Sequence, residues 1–215
     1  MKHEKVLEIV YEPKRLYAAW QQVRRNAGAA GIDGMSVETF ASREDELLQL
    51  INGKLEEGNY RFKPARRVLI PKEGTSKMRK LGIPVVMDRI VSQSINLVFE
   101  EIFDAEFTGS NFVFRRGKSQ HQAIEHVQEI VNQGYVWCAS IDLQSFFDEI
   151  PHDLILKLIR RRISDERLIT LIARALKAGV IEDGILVKTL KGCPQGGSVI
   201  TDAVEYSSER TGSGT

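Results

Sequence analysis

Cysteine is nearly missing. Cys138 and Cys193 are the whole complement of the 215 residues, too few and too far apart for a disulfide framework or a zinc knuckle. Histidine is almost as scarce, and His3, His121, His126 and His152 fall into no H-E-x-x-H or comparable ligand spacing. No run of about 18 apolar residues is present to span a bilayer. The opening MKHEKVLEIVYEPK lacks the apolar core of a secretory leader. These absences set an expectation of a reducing cytoplasm and of no membrane partner. Net charge is also missing: 30 Lys and Arg stand against 29 Asp and Glu, so the whole-chain balance names no partner. Internal repeats are absent as well.

Apolar content of 42% and charged content of 27% are ordinary for a globular chain, with length enough for one large domain or two small ones. The distribution of charge is less ordinary. From Arg61 to Lys80, RFKPARRVLIPKEGTSKMRK holds eight Lys and Arg against one acid, Glu73. Such a run is either a solvated loop or a surface for phosphates, whose charge guanidinium and ammonium groups neutralise.

The periodicity predicts an α+β order. PKRLYAAWQQVRRN puts Leu16, Tyr17, Trp20 and Val23 on one helical face. GAAGIDGM reads as a loop of glycines around Asp33. SVETFASREDELLQLINGKLEEG reads as one helix, opened by Ser36 and early acids and stopped by Gly58. RRVLIP and KLGIP, joined by KEGTSKMR, suggest a basic hairpin. A helix over 85–103 follows, then a helix beginning near Ser119. YVWCASID reads as a buried strand. Helices over about 151–162 and 164–178, a strand at GILVKTLKG and a tight turn at CPQGG complete the order.

Chemistry concentrates in CASIDLQSFFDEIPHDLI, where Asp142 ends an apolar run and Phe146 and Phe147 follow. A strand-end Asp is often only a cap, and an aromatic pair is often only core. A two-metal phosphoryl-transfer site, however, needs rigidly held carboxylates so that the ions sit about 4 Å apart. The carbonyl of Leu143 could add an oxygen ligand. A hydrolase using Asp142 with Asp148 or Glu149 would lack a placed nucleophile.

RKLGIPVVMDRIVSQSI, FVFRRGKSQHQAI, SIDLQSFFDEIPHDLI and KGCPQGG occur in an order and spacing that resemble the reverse transcriptases of bacterial group II introns. GAAGIDGMSVETF resembles the amino-terminal segment of the same family, and the likeness covers roughly 10–199. It implies the right-hand polymerase fold, as fingers plus an incomplete palm. It implies RNA-templated DNA synthesis with two Mg²⁺ ions, on deoxynucleoside triphosphates, an RNA template and a DNA primer, and assistance to splicing of a group II intron RNA. By resemblance, Asp142 is the first metal-binding carboxylate and catalytic residue, and Leu143 lends its carbonyl. Phe147 lies under the incoming sugar and disfavours a 2′-hydroxyl. Lys72 and Arg79 hold the triphosphate, Gln195 lies near the nascent base pair, and Arg115 is near the template. Gly196 and Gly197 let backbone approach a base pair without a Cβ in the way. A triphosphate carries about four negative charges, which flexible Lys and bidentate Arg suit. His121, His126 and His152 gain no role and read as surface or helix residues.

Two departures stand out. Gln144 occupies a position where the family often has Lys. After PQGG the family continues with Ser-Pro, an apolar helix and later an aromatic-x-Asp-Asp turn bearing the remaining metal carboxylates, whereas this sequence reads SVITDAVEYSSERTGSGT. With one choice of codons, restoring two bases after Ile200 gives Ser-Pro-Met-Leu-Trp-Asn-Ile-His-Leu-Asn-Glu-Leu, the kind of helix expected there. The resulting expectation is an amino-terminal extension and fingers with part of the palm helices over 1–134, the front half of the palm over 135–199, and a frameshifted, disordered tail over 200–215. With Asp142 unpartnered, the 215 residues alone are expected to lack polymerase activity. The alternative is a non-catalytic RNA-binding remnant that keeps the basic fingers surface.

Overall fold

The computed structural model describes residues 2–71, 74, 78–103, 109–112, 117–140 and 149–192. Helix α1 (Val6–Tyr11) is separated by one residue from α2 (Pro13–Asn26). Pro13 sits at the start of α2, where a helix leaves its first N–H groups unpaired in any case. Leu16, Ala19, Trp20 and Val23 of α2 are buried. Tyr17 is 49% exposed, against expectation. The buried stripe runs i, i+3, i+4, i+7 from Leu16, and Tyr17 lies about 100° off it.

The single helix expected from Ser36 to Gly58 is two, α3 (Val37–Ala41) and α4 (Glu44–Glu56). Ser36 does cap the first, its Oγ accepting Thr39 N–H at 3.1 Å. The break has a local cause: Ser42 Oγ donates to the Thr39 carbonyl at 2.8 Å, competing with the helical ladder. Arg43 then adopts φ −134°. The restart points Glu44 at Trp20, whose indole N–H donates to it at 2.8 Å. Gly58, at φ +69°, ends the run.

The hairpin forms as read. Strand β1 (Ala65–Pro71) pairs antiparallel with β2 (Met78–Ile83), from Arg66 opposite Ile83 to Pro71 opposite Met78. Strand β3 (Val180–Glu182) pairs parallel with β1, and β4 (Ile185–Val187) antiparallel with β3, giving the order β2-β1-β3-β4. The strand expected over GILVKTLKG is thus confined to its first apolar residues. Asp183 and Gly184, both at positive φ, make the two-residue turn between β3 and β4.

Helix α5 (Val86–Phe103) runs through the core, with Ile90, Ile95, Phe99 and Phe103 fully buried. It packs on α2 and α1. Its mid-helix Ser94 is satisfied by the Val10 carbonyl at 2.5 Å. Helix α6 (Gln120–Asn132) begins at Ser119 with a reciprocal capping box to Gln122, and none of its residues is buried. Helices α7 (His152–Ile159) and α8 (Glu166–Leu176) pack on each other, and α8 also packs on α1. Asp165 caps α8 with one oxygen while the other accepts Leu7 N–H at 2.8 Å. The mixed helix-and-sheet plan is therefore borne out.

One expected strand is not. Residues 135–140, the described part of YVWCASID, hold no regular structure, and Trp137 is 96% exposed. An apolar run becomes a strand only against a neighbour that pairs its backbone, and among the described residues the sheet ends at β4 on that side. His152, read as a surface or helix residue, opens α7 but is buried, 5% exposed, and its Nε2 lies 2.8 Å from the Gly192 carbonyl.

Candidate nucleic-acid interface

The basic run folds into the hairpin and the segment that enters it, and its cations divide by task. Arg66, on β1, turns its Nε and Nη2 onto the Ala30 carbonyl at 3.1 and 2.8 Å. Arg67 and Lys80 both approach Glu182 of β3, at 3.8 and 3.3 Å. Lys63 pairs with Asp33 at 3.4 Å. Carbonyls orient a guanidinium without cancelling its charge, so the surface stays positive where Arg66 is held and is partly neutralised at Glu182. Lys63 and Lys80 are more than half exposed and pair only weakly in water.

The first turn of α5 gathers the surrounding segments. Arg89 donates from Nε to the Pro84 carbonyl at 3.0 Å, from Nη1 to Ala27 at 3.3 Å and from Nη2 to Ala29. Burial lowers its pKa from the ordinary guanidinium value. Asp88 faces the other way: Oδ1 accepts the Tyr60 hydroxyl and Oδ2 the Lys63 N–H, each at 2.8 Å. Burial pushes its carboxyl up to about 6, against the opposing pull of those two hydrogen bonds. Burial likewise drives the Tyr60 hydroxyl well above its usual range, with Asp88 adding to it. Gly31 is packed so closely that a Cβ would lie 2.7 Å from the Val85 backbone. Between the loop after α2, the hairpin and α5 lies a cleft of about 450 Å³, lined by Ala27, Ile70, Leu81, Pro84 and Gln93 among others.

Of the residues singled out from sequence, Arg79 has its backbone in β2, opposite Ile70. Lys72, Arg115, Asp142, Leu143, Phe147, Gln195, Gly196 and Gly197 lie outside the described residues, as does the tail over 200–215. Their flanks are informative. Ile150 and Gly192 are joined by a backbone hydrogen bond of 2.8 Å, Pro151 bridges to Lys191, and His152 reaches the Gly192 carbonyl. The segment following Asp142 is thereby tied to the one preceding Gln195. Among the described residues no three His, Cys, Asp or Glu side chains cluster as metal ligands, and no helix is long and apolar enough to cross a membrane. Sequence reasoning missed Asp88, Arg89 and His152. An acid–base pair at the head of an otherwise apolar helix was the available signal for the first two.

Known proteins share this arrangement. Residues 70–199 match the family described as reverse transcriptase (RNA-dependent DNA polymerase). Protein YkfC of Escherichia coli strain K12 is 36% identical over 202 residues, covering 91% of this chain and 53% of that protein. The group II intron-encoded protein LtrA of Lactococcus lactis subsp. cremoris is 32% identical over 185 residues, covering 86% of this chain and 31% of that protein. The chain thus spans about half the length of the first relative and a third of the second. A solved structure titled "Partial Cas6-RT-Cas1--Cas2 complex" superposes with a TM-score of 0.59 over 95% of this chain and 34% of that one, at 18% identity, a likeness of fold alone. With β2 of the hairpin and the Asp142 segment inside one family match, and an intron-encoded protein among its relatives, the chain belongs to the reverse transcriptase (RNA-dependent DNA polymerase) family.

Proposed function

We propose that this chain supplies an amino-terminal extension and the fingers with part of the palm helices, over 1–134, and the front half of the palm, over 135–199, of an RNA-directed DNA polymerase of the group II intron kind. The observation that carries the reading is the single family match over 70–199, which takes in Lys72, Arg79, Arg115, Asp142, Phe147 and Gln195 in order. Lys72, which follows β1 in the sequence, and Arg79, whose backbone is in β2, neutralise and align the triphosphate of a deoxynucleotide. Arg115 meets the template, Phe147 packs under the incoming sugar, and Gln195 with Gly196 and Gly197 lies against the nascent base pair. The Asp142 carboxylate and the Leu143 carbonyl are hard oxygen donors of the kind that suit Mg²⁺. Mg²⁺ bound there supplies charge neutralisation at the reacting phosphate. An RNA template, a DNA primer and an intron RNA are the partners, in a reducing bacterial cytoplasm.

Primer extension on an RNA template, with Mg²⁺ and all four deoxynucleotides, tests the reading. Extension is expected from a chain that also carries the rest of the family's metal carboxylates and is abolished there by Asp142→Ala, whereas the 215 residues alone are expected not to extend. RNA binding, followed by fluorescence anisotropy, is expected to survive that change. It weakens, with a reduced salt slope, when Lys72, Arg79 and Arg115 are each made Ala. RNA binding without extension would leave a non-catalytic RNA-binding module. Loss of binding in Asp142→Ala would overturn the division of roles.

A further inference from the structure

The hairpin stands on a narrow root. Strand β1 pairs with β3 only through Ala65 and Arg66. Beyond them the hairpin has its own two-stranded ladder, and Leu69, Ile70 and Met78 are 42–52% exposed. A two-stranded ribbon holds itself together poorly in water and has little stiffness against tilting at its base. Besides Arg66 on the Ala30 carbonyl and the Arg67 and Lys80 pairs with Glu182, the segment before Ala65 is where its angle can be fixed.

Asp88 acts there. It is 3% exposed, in the first turn of the core helix α5, and it takes both hydrogen bonds from the segment entering β1. One oxygen holds the Tyr60 hydroxyl and the other the Lys63 backbone, two residues before the strand begins. Two anchors on two oxygens of one rigid carboxyl fix the segment in rotation as well as distance. The charged and titratable groups around it are Tyr60 and Lys63 on that segment, Asp33 on the loop paired with Lys63, and Arg89, which turns away onto carbonyls. A carboxylate is a costly choice for a core position unless its partners are specific.

We propose that Asp88 is a positioning residue that sets the angle at which the hairpin β1–β2 leaves α5, and so places the triphosphate- and RNA-binding side chains the hairpin carries. The ligand part rests on the function proposed above; the geometric part does not. Spin labels at Leu69→Cys on β1 and Leu50→Cys on α4, with Cys138 and Cys193 replaced by Ser, report the angle by pulsed EPR in the ligand-free protein. Asp88→Ala is expected to broaden the single distance of the parent. Asp88→Asn, which can still accept from Lys63 N–H and meet the Tyr60 oxygen, is expected to keep it.

Ile159→Ala in α7, a fully buried position outside the segment entering β1, serves as the control that lowers stability elsewhere, and it is expected to leave the distance narrow. Should Asp88→Ala fail to fold, Tyr60→Phe removes one anchor alone and is expected to give a smaller broadening. RNA affinity falls about tenfold in the broadened variant if the hairpin is competent about a tenth of the time, and is unchanged in Asp88→Asn. A folded Asp88→Ala with the parental distance overturns the inference, as does an equal broadening in Ile159→Ala. A narrow parental distance, with broadening in Asp88→Ala but no RNA binding by the parent, refutes the proposed function and leaves the positioning role standing.

Discussion

At the scale of single residues, the chain spends buried charge where an apolar core would be cheaper. Asp88 is the clearest case. Burial lifts its carboxyl from the ordinary 3.8 to about 6, so the folded state holds this proton more tightly than the unfolded chain does. Stability therefore falls as pH rises from about 4 to about 6, then levels off above it, the full span being on the order of 3 kcal/mol. In Asp88→Asn this slope should vanish, leaving the protein at least as stable as the parent at pH 7. Denaturant melts at half-unit pH steps check it, and a slope that survives the substitution would place its source elsewhere. None of this was legible in MDRI, where an early helical Asp looks like a solvent-facing partner of the helix dipole. Only the Tyr60 and Lys63 donors, 28 and 25 residues earlier in the chain, reveal that it faces inward.

At the scale of elements, the glycines separate two physical situations that share one letter. Gly31 lies where the loop after α2 crosses the start of α5, with no room for a methyl group against the Val85 backbone. Gly53 lies inside α4, with nothing within 4 Å of the Cβ it lacks. Gly31→Ala is expected to cost roughly 1–3 kcal/mol by overpacking, whereas Gly53→Ala should gain up to about 1 kcal/mol from helix propensity. Paired thermal melts decide it, and a neutral Gly31→Ala would mean the loop can yield. Helices α2, α5, α6 and the hairpin were readable because capping and alternation are local. The break between α3 and α4 was not, because Ser42 had to choose between its own backbone and the helix.

At the scale of the whole molecule, positions far apart in sequence are joined. Asp165 caps α8 and holds Leu7 N–H, while Ser164 N–H donates to the His3 carbonyl and Arg167 pairs with Glu8. Asp165→Ala strips a helix cap and orphans a buried amide together, so a loss of about 2–4 kcal/mol is expected. Asp165→Asn, with one acceptor oxygen and one donor NH2, can keep the cap or the Leu7 N–H but not both, and should recover only part of it. A cooperative single unfolding step in both variants, followed by circular dichroism and tryptophan fluorescence, would show that α1 and α8 melt together; separated transitions would show that they do not.

The sequence by itself determined the family, the hairpin and most of the helices, because motif spacing and hydrophobic period are properties of neighbours along the chain. It also ranked Lys72, Arg79 and Asp142 as the chemistry-bearing residues. It could not place Asp88, Arg89 or His152. A buried polar side chain is defined by the partner that satisfies it, and here those partners arrive from other segments. Nor could it tell that 135–140 would stay out of the described sheet, since strandhood is conferred by a pairing edge. Local propensity proposes an element; the tertiary fold decides what it packs against.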